Sequence, residues 1–309
     1  LMEENQSLSR LFCKGAAAFE EILISHKPKV LIVEGDTSTV FFTSLVAFYQ
    51  KVDVAHVEAG LRTSDIYSPF PEEVNRRITS VVTTLHFAPT EWARKNLLRE
   101  GYADRNIYIT GNPVIDAVLE VIEMEPVFPK ALDSVDFDDL KVILVTAHRR
   151  ENHGRPLENI CRAILRLRDT FENIVFVYPV HPHPTVEQTV ESLLAEEPRV
   201  MLVPPLDYVS FVHLMKRSHL ILTDSGGIQE EAPSIGKPVL VLRNTTERPE
   251  ALDAGTAKVI GTETENIVCE VGSLLSNEHR YQEMIAKENP FGDGKAAERI
   301  VDLILERYG

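Results

Sequence analysis

Cysteine is scarce in this chain: Cys13, Cys161 and Cys269 lie far apart and form no Cys-x-x-Cys pair. That spacing argues against a metal cage and against a disulfide framework. No apolar run approaches the length of a membrane span, and no signal peptide is visible. Positive charge is in deficit, with 32 Lys and Arg against 47 Asp and Glu, a net charge of -15. Such an acidic balance argues against a nucleic-acid backbone or an anionic membrane as partner. Repeats and low-complexity segments are absent, and so is the Gly-x-Gly-x-x-Gly fingerprint of dinucleotide binding. A soluble, cytoplasmic protein is the expectation.

What is present is an alternation. The 309 residues, 44% of them apolar, suffice for roughly two domains with cores of their own. Strand-like apolar runs stand at 29–33, 52–57, 85–88 and 107–110, with helical patterns at about 38–50, 72–83, 90–100 and 113–124 between and after them. A second series of runs follows at 142–146, 174–178, 200–203, 220–222, 238–242 and 258–260, and helices at about 263–275, 277–286 and 294–308 close the chain. Strand–helix alternation predicts α/β architecture, with parallel sheets covered by helices on both faces. Between the series lies an acidic stretch with two prolines, 125–139, which reads as an interdomain connection. The expected division is therefore 1–124 and 125–293, with the last helix, 294–309, joining the first domain. Leu1 is not an initiator, and Glu3-Glu4-Asn5-Gln6-Ser7 leads straight into a helical pattern from Leu8 to Leu23, so the chain is expected to begin inside a fold.

The most informative stretch is Thr223-Asp224-Ser225-Gly226-Gly227-Ile228-Gln229-Glu230-Glu231. It joins a buried strand to a helix, so its backbone N–H groups lie free at the positive end of the helix dipole, an anion site that suits phosphate. Glu231 follows Gly227 by one helical turn, where a carboxylate suits the diol of a ribose. Phosphate donors and a hydroxyl acceptor one turn apart describe a nucleotide site; the plain alternative is a Gly-rich turn with solvated glutamates.

Chemistry in two such domains belongs just after strands, at the carboxyl edge of each sheet, with the ligand expected in a cleft between them. Asp36 follows the first strand, Glu58 the second, His148 and Arg149 the first strand of the second series, and His181 the next. Taken singly, Asp36 reads equally as a helix cap and Glu58 as a partner of Arg62. Together, carboxylates on one domain and His and Arg on the other make an acid/base set with a local cationic patch that matches phosphate. His181-Pro182-His183 invites reading as a metal pair, but no carboxylate partner is near it in sequence; His153 reads as a loop residue.

These motifs resemble the non-hydrolysing UDP-N-acetylglucosamine 2-epimerases. The matching blocks are GDTST (35–39), HVEAGLRT (56–63), YSPFPEEVNR (67–76), TGNPVIDA (110–117), AHRREN (147–152), YPVHPHP (178–184), TDSGGIQEEAPSIGKPVLVLRNTTERPEA (223–251) and NPFGDG (289–294), in order over nearly the whole chain. The resemblance implies a GT-B fold of two Rossmann-like domains and interconversion of UDP-GlcNAc and UDP-ManNAc. It implies elimination of UDP to 2-acetamidoglucal and re-addition, without metal or NAD. It places Asp36, Glu58, Glu72 and His148 around the sugar. Arg149, His181, Phe211, Ser225, Gly226, Gly227, Glu231 and Arg248 would hold the nucleotide, with the Phe211 ring near the uracil unless it is an ordinary helix core residue. It further implies a homodimer and, in bacterial members, activation by a second UDP-GlcNAc beside the active site, within reach of Arg149 and His181. One departure is plain: the family's opening strand and Gly-Thr-Arg-Pro-Glu loop have no match, roughly 60 residues or two βα units. A hydrolysing epimerase, a GT-B glycosyltransferase and a UDP-sugar-binding protein without turnover are the competing readings.

Overall fold

A computed structural model describes residues 6–63, 65–126, 128–133, 135–285 and 287–309. Leu1, Glu3, Glu4 and Asn5, on which the expected mid-fold start rests, lie outside the described residues. The chain divides into two compact units, Leu1–Pro113 with Phe291–Gly309, and Val114–Pro290. Both are parallel α/β units, the class the alternation predicts.

The first unit carries helix α1 (Leu8–His26), then β1 (Val30–Glu34), α2 (Ser38–Tyr49), β2 (Asp53–Val57), α3 (Glu72–Val82), β3 (Leu85–Ala88), α4 (Glu91–Arg99) and β4 (Ile107–Ile109). Its strands lie in the order β1-β2-β3-β4, all parallel. Hydroxyl side chains cap three of its helices. Ser7, Thr37 and Thr90 each accept a backbone N–H in the first turn of α1, α2 and α4.

The second unit holds α5 (Pro113–Val121), β5 (Lys141–Thr146), α6 (Arg155–Thr170), β6 (Ile174–Pro179), α7 (Pro184–Leu194), β7 (Val200–Val203), α8 (Tyr208–Arg217), β8 (Leu220–Thr223), α9 (Gly226–Ser234), β9 (Val239–Val241), α10 (Pro249–Ala254), β10 (Ala257–Val259), α11 (Thr264–Ser276) and α12 (Glu278–Ile285). Its six parallel strands run β10-β9-β8-β5-β6-β7. The order reverses direction between β5 and β8, and that switch point opens a crevice at the carboxyl edge of the sheet. The core beneath it joins Ile143, Val145, Phe176, Tyr178, Leu220 and Leu222 to Leu157, Ile160 and Ile164 of α6, all within 1% of full burial. Each such side chain contributes about 1.5–3 kcal/mol of burial.

The last helix, α13 (Ala296–Tyr308), belongs to the first unit. Ile300 packs with Ala55, Val57, Leu85 and Phe87. The Tyr308 hydroxyl donates to Asp53 at 2.7 Å, and Lys29 donates to the Tyr308 carbonyl at 2.8 Å.

The stretch 125–139 is not a connection between units. It lies inside the second unit, and the division falls at the start of α5 rather than at residue 124. The apolar residues among its acids decide this: Leu132 and Val135 are buried, while Phe128 stacks on Phe137 and meets His213 of α8 edge-on. Arg217 of α8 covers the Phe137 ring and pairs with Asp138. The three cysteines are free thiols, Cys161 buried and the other two exposed. No described helix is long and apolar enough to cross a membrane.

Candidate functional site

In the first unit the predicted carboxylates gather at the carboxyl ends of neighbouring strands. Gly35 turns the chain out of β1 at φ 79°, and Asp36 follows it. Asp36 is not the helix cap; Thr37 takes that place, its hydroxyl accepting from the Val40 N–H. The Asp36 carboxylate faces the buried Arg76 guanidinium at 2.5 Å, and the Asp36 carbonyl accepts from Asn75 at 2.9 Å. Glu58 follows β2 in the left-handed region, φ 64°, a strained position for a side chain with a Cβ. Its carboxylate accepts from Asn112 at 3.3 Å and lies over the Gly35 turn, 3.4 Å from where a Cβ there would stand. Arg62, the partner the sequence offers Glu58, forks instead onto Glu100 at 2.7 and 2.8 Å.

Glu72 opens α3, half-buried, at the positive end of the helix dipole. Its neighbour Glu73 is the structural one: fully buried, it accepts from the Thr63 N–H and pairs with Arg76 and Arg77. His56 ties this edge together. Its Nε2 is 2.8 Å from the Gly35 carbonyl, which only accepts, so Nε2 carries the proton. Burial pushes His56 down to about 4, so the imidazole is neutral at physiological pH.

In the second unit the predicted His, Arg and Gly residues meet at the switch point, after β5 and β8. Asp224, fully buried, organises them. Its Oδ2 accepts from the backbone N–H of His148 at 2.8 Å and of Arg149 at 2.9 Å, and from Asn152 at 2.9 Å. His148 Nδ1 is 3.6 Å from Oδ1. Burial lowers the His148 pKa, Asp224 opposes that, and His181, Arg149 and His153 add to the lowering. His148 stacks on His181 at 5.0 Å and 13°, and His153 meets His183 at 4.8 Å. The two histidines of the His-Pro-His stretch therefore spend their faces on different partners. Among the described residues no group of three or more His, Cys, Asp or Glu is placed to hold a metal ion.

Ser225 caps α9 by backbone alone; its side chain makes no capping bond. The two glycines differ. Gly227 is exposed, and a Cβ there would meet nothing closer than 3.8 Å, so its face of the helix start is open. Gly226 is buried, and a Cβ there would stand 2.7 Å from Glu247 Oε1. The bare backbone at Gly226 is thus demanded by a protein carboxylate, whereas the sequence pattern attributes it to the approach of phosphate.

Glu247 is not among the residues the sequence points to. Its side chain, 4% exposed, sits among three arginines: Arg243 at 2.7 Å, Arg149 at 3.7 Å and Arg248 at 3.8 Å. Burial alone would raise its pKa; Arg248, Arg243 and Arg149 outweigh that and hold it at about 2. Arg243 also reaches Glu151 at 2.6 Å, and Arg248 pairs with buried Glu230. Glu231 is 7% exposed and accepts from the Tyr208 hydroxyl at 2.8 Å. Phe211 is half-buried on α8, one turn from Tyr208. Asp224 and the TTER run that holds Glu247 both lie within matched motifs, so a charged residue directly after a strand at a reversal is the available signal for the first. Glu247 has none: Arg243 and Arg248 lie close to it in sequence, but nothing in that run records Arg149 or the burial that gathers the cluster.

A six-stranded sheet ordered this way, with a helix start and arginines at its switch point, defines the class of Rossmann-like nucleotide-binding folds. Within that class, the chain belongs to the UDP-N-acetylglucosamine 2-epimerase family, whose sequence model matches residues 1–305. It is 49% identical over 310 residues to the UDP-N-acetylglucosamine 2-epimerase of Escherichia coli K12, covering 98% of this chain and 82% of that protein. The Bacillus subtilis 168 enzyme of the same name is 47% identical over 309 residues, covering 100% and 80%. A crystal structure of the Neisseria meningitidis UDP-GlcNAc 2-epimerase bound to UDP-GlcNAc superposes with a TM-score of 0.93 at 46% identity, covering 99% and 84%.

Proposed function

We propose that this protein interconverts UDP-GlcNAc and UDP-ManNAc at C2 by eliminating UDP to 2-acetamidoglucal and adding it back, with no net hydrolysis. The observation that carries the reading is the β5/β8 switch point, where an open helix start, Arg149 and the Glu231 carboxylate stand together in a member of this family. Gly226 and Gly227 bring backbone N–H groups and Ser225 its hydroxyl to the diphosphate, Arg149 and Arg248 its counter-charge, His181 a ring nitrogen, Glu231 an acceptor for the ribose and Phe211 a face for the uracil. Leaving-phosphate charge grows during elimination, and preorganised donors at a helix start stabilise it in the transition state.

The C2 proton has no adjacent carbonyl, so its removal is coupled to loss of the phosphate. It leaves one face and returns to the other, which needs more than one acid/base group. Asp36, Glu58, Glu72 and His148 are assigned to that work. Arg76 fixes the direction of Asp36, and Asn112 that of Glu58.

Incubation with UDP-GlcNAc in deuterium oxide, followed by NMR, tests this. UDP-ManNAc should form, and both sugars should gain deuterium at C2 in step with interconversion. Retention of the C2 proton would overturn elimination, free sugar with UDP would make the enzyme a hydrolase, and tight binding without conversion would leave a nucleotide-sugar binder.

A further inference from the structure

Helix α8 begins at Tyr208, and its first turn is fixed by Asp207, whose carboxylate accepts from the Ser210 N–H at 3.0 Å and the Ser210 hydroxyl at 2.6 Å. From that anchored turn the Tyr208 hydroxyl reaches α9 and donates to Glu231 Oε1 at 2.8 Å. The other oxygen, Oε2, lies 3.8 Å from the Cβ position of Gly227, on the open face of the helix start. Phe211 follows Tyr208 by three residues, so the phenol and the Phe211 ring share one face of α8.

We infer that Tyr208 is a positioning residue for nucleoside binding: it holds Glu231 by one oxygen so that the other is presented to the ribose diol. The inference rests on the reading of Glu231 as the ribose acceptor. A carboxylate left free to rotate would lose that direction, and a protonated one would lose its acceptor strength. Glu231 is open to the second fault. Burial pushes its pKa up, the Tyr208 hydrogen bond counters that, and neighbouring Glu230 adds to the rise. Glu230 is itself paired with Arg248. Among the described residues no Lys, Arg or His forms an ion pair with Glu231, and the Tyr208 hydroxyl is the donor to its carboxylate.

Calorimetric titration with UDP and with 2′,3′-dideoxy-UDP separates the two layers of the argument. The unmodified protein should prefer UDP, and Glu231→Gln should lose most of that preference. Tyr208→Phe should reduce it about tenfold, the loss of one hydrogen bond to an ionised acceptor, with dideoxy-UDP affinity unchanged. Tyr208→His, which returns a donor, should recover part of it. In Tyr208→Phe the preference should also disappear at a higher pH, since the carboxylate has lost a group that favours ionisation. Equal affinity for the two ligands in the unmodified protein would sink the ribose reading itself. A full preference in Tyr208→Phe, with the preference lost in Glu231→Gln, would overturn the role of Tyr208 alone.

Discussion

The carboxyl edges of the two sheets hold their charged groups in different ways. In the first unit the strand order runs one way across the described residues, and the edge presents carboxylates. The Asp36 carboxylate pairs with Arg76 and that of Glu58 accepts from Asn112, while Asn75 and the neutral His56 tie down the Asp36 and Gly35 carbonyls. In the second unit the order reverses, and behind the helix start lies a network of three arginines and three glutamates, buried at Arg243, Arg248, Glu230 and Glu247 and open to solvent at Glu151. Carboxylates aimed by a neighbouring donor suit groups that gain and lose protons. Cations fixed in advance suit an anion that must be held while its bond breaks and re-forms. On the proposed function, that difference would put the acid/base carboxylates on one unit and the nucleotide ligands, with His148, on the other.

The sharpest break of that division comes from Glu58→Gln, which removes a proton acceptor with little change of shape. Turnover should fall by roughly 10²–10⁴-fold, while UDP affinity measured by calorimetry stays within about a factor of two, since its ligands are assigned to the other unit. Turnover and UDP affinity falling together would show that the carboxylate edge also holds the nucleotide.

The second prediction concerns the buried network. Glu247 is held at about 2 in the fold against an ordinary 4.5. Between those values the unfolded chain takes up a proton that the folded one refuses, so the stability Glu247 contributes is full above pH 4.5, drains as pH falls toward 2, and is absent below. The shift corresponds to about 3 kcal/mol. Urea denaturation across that window should show a flatter pH dependence for Glu247→Gln, together with lower stability at neutral pH. Parallel curves for the two proteins would mean that the arginines find their counter-charge elsewhere.

How much of this is legible in the sequence depends on the range of the interaction. The runs 85–88 and 200–203 predict β3 and β7 to the residue, because each is a short, mostly apolar run set off from the helical patterns around it. The turn from Asp224 into Gly226 is legible for the same reason: its signal is contained in nine adjacent residues. The 125–139 stretch misleads because composition alone marks a linker, while its fate is set by Phe128, Leu132, Val135 and Phe137 packing within the second unit. Asp224 bridging to His148 and Arg149, and Glu247 filling the space beside Gly226, join residues far apart in sequence. Local periodicity carries no record of such partners.

The smallest predicted effect compares the two helix starts directly. Thr37 and Ser225 are both hydroxyl residues at an N-cap in extended backbone, directly before a helix that follows a strand. Thr37 spends its hydroxyl on the Val40 N–H at 3.4 Å, a long contact. Ser225 makes no such bond, although its own N–H is tied to the Thr223 hydroxyl at 2.9 Å. A capping bond of that length and exposure is worth about 0.5–1 kcal/mol, so Thr37→Ala should cost that much stability in urea denaturation and leave UDP affinity alone. Ser225→Ala should do the reverse: stability within about 0.5 kcal/mol of the unmodified protein, and UDP affinity lower by about tenfold through one lost hydrogen bond to a charged phosphate. The logic is that a cap hydroxyl serves either its own helix or a ligand, because the direction that reaches the first-turn N–H turns it away from the space beyond the helix end. Should Ser225→Ala lose stability while keeping its UDP affinity, Ser225 is an ordinary cap, and the open helix start owes its anion binding to backbone N–H groups and arginines alone.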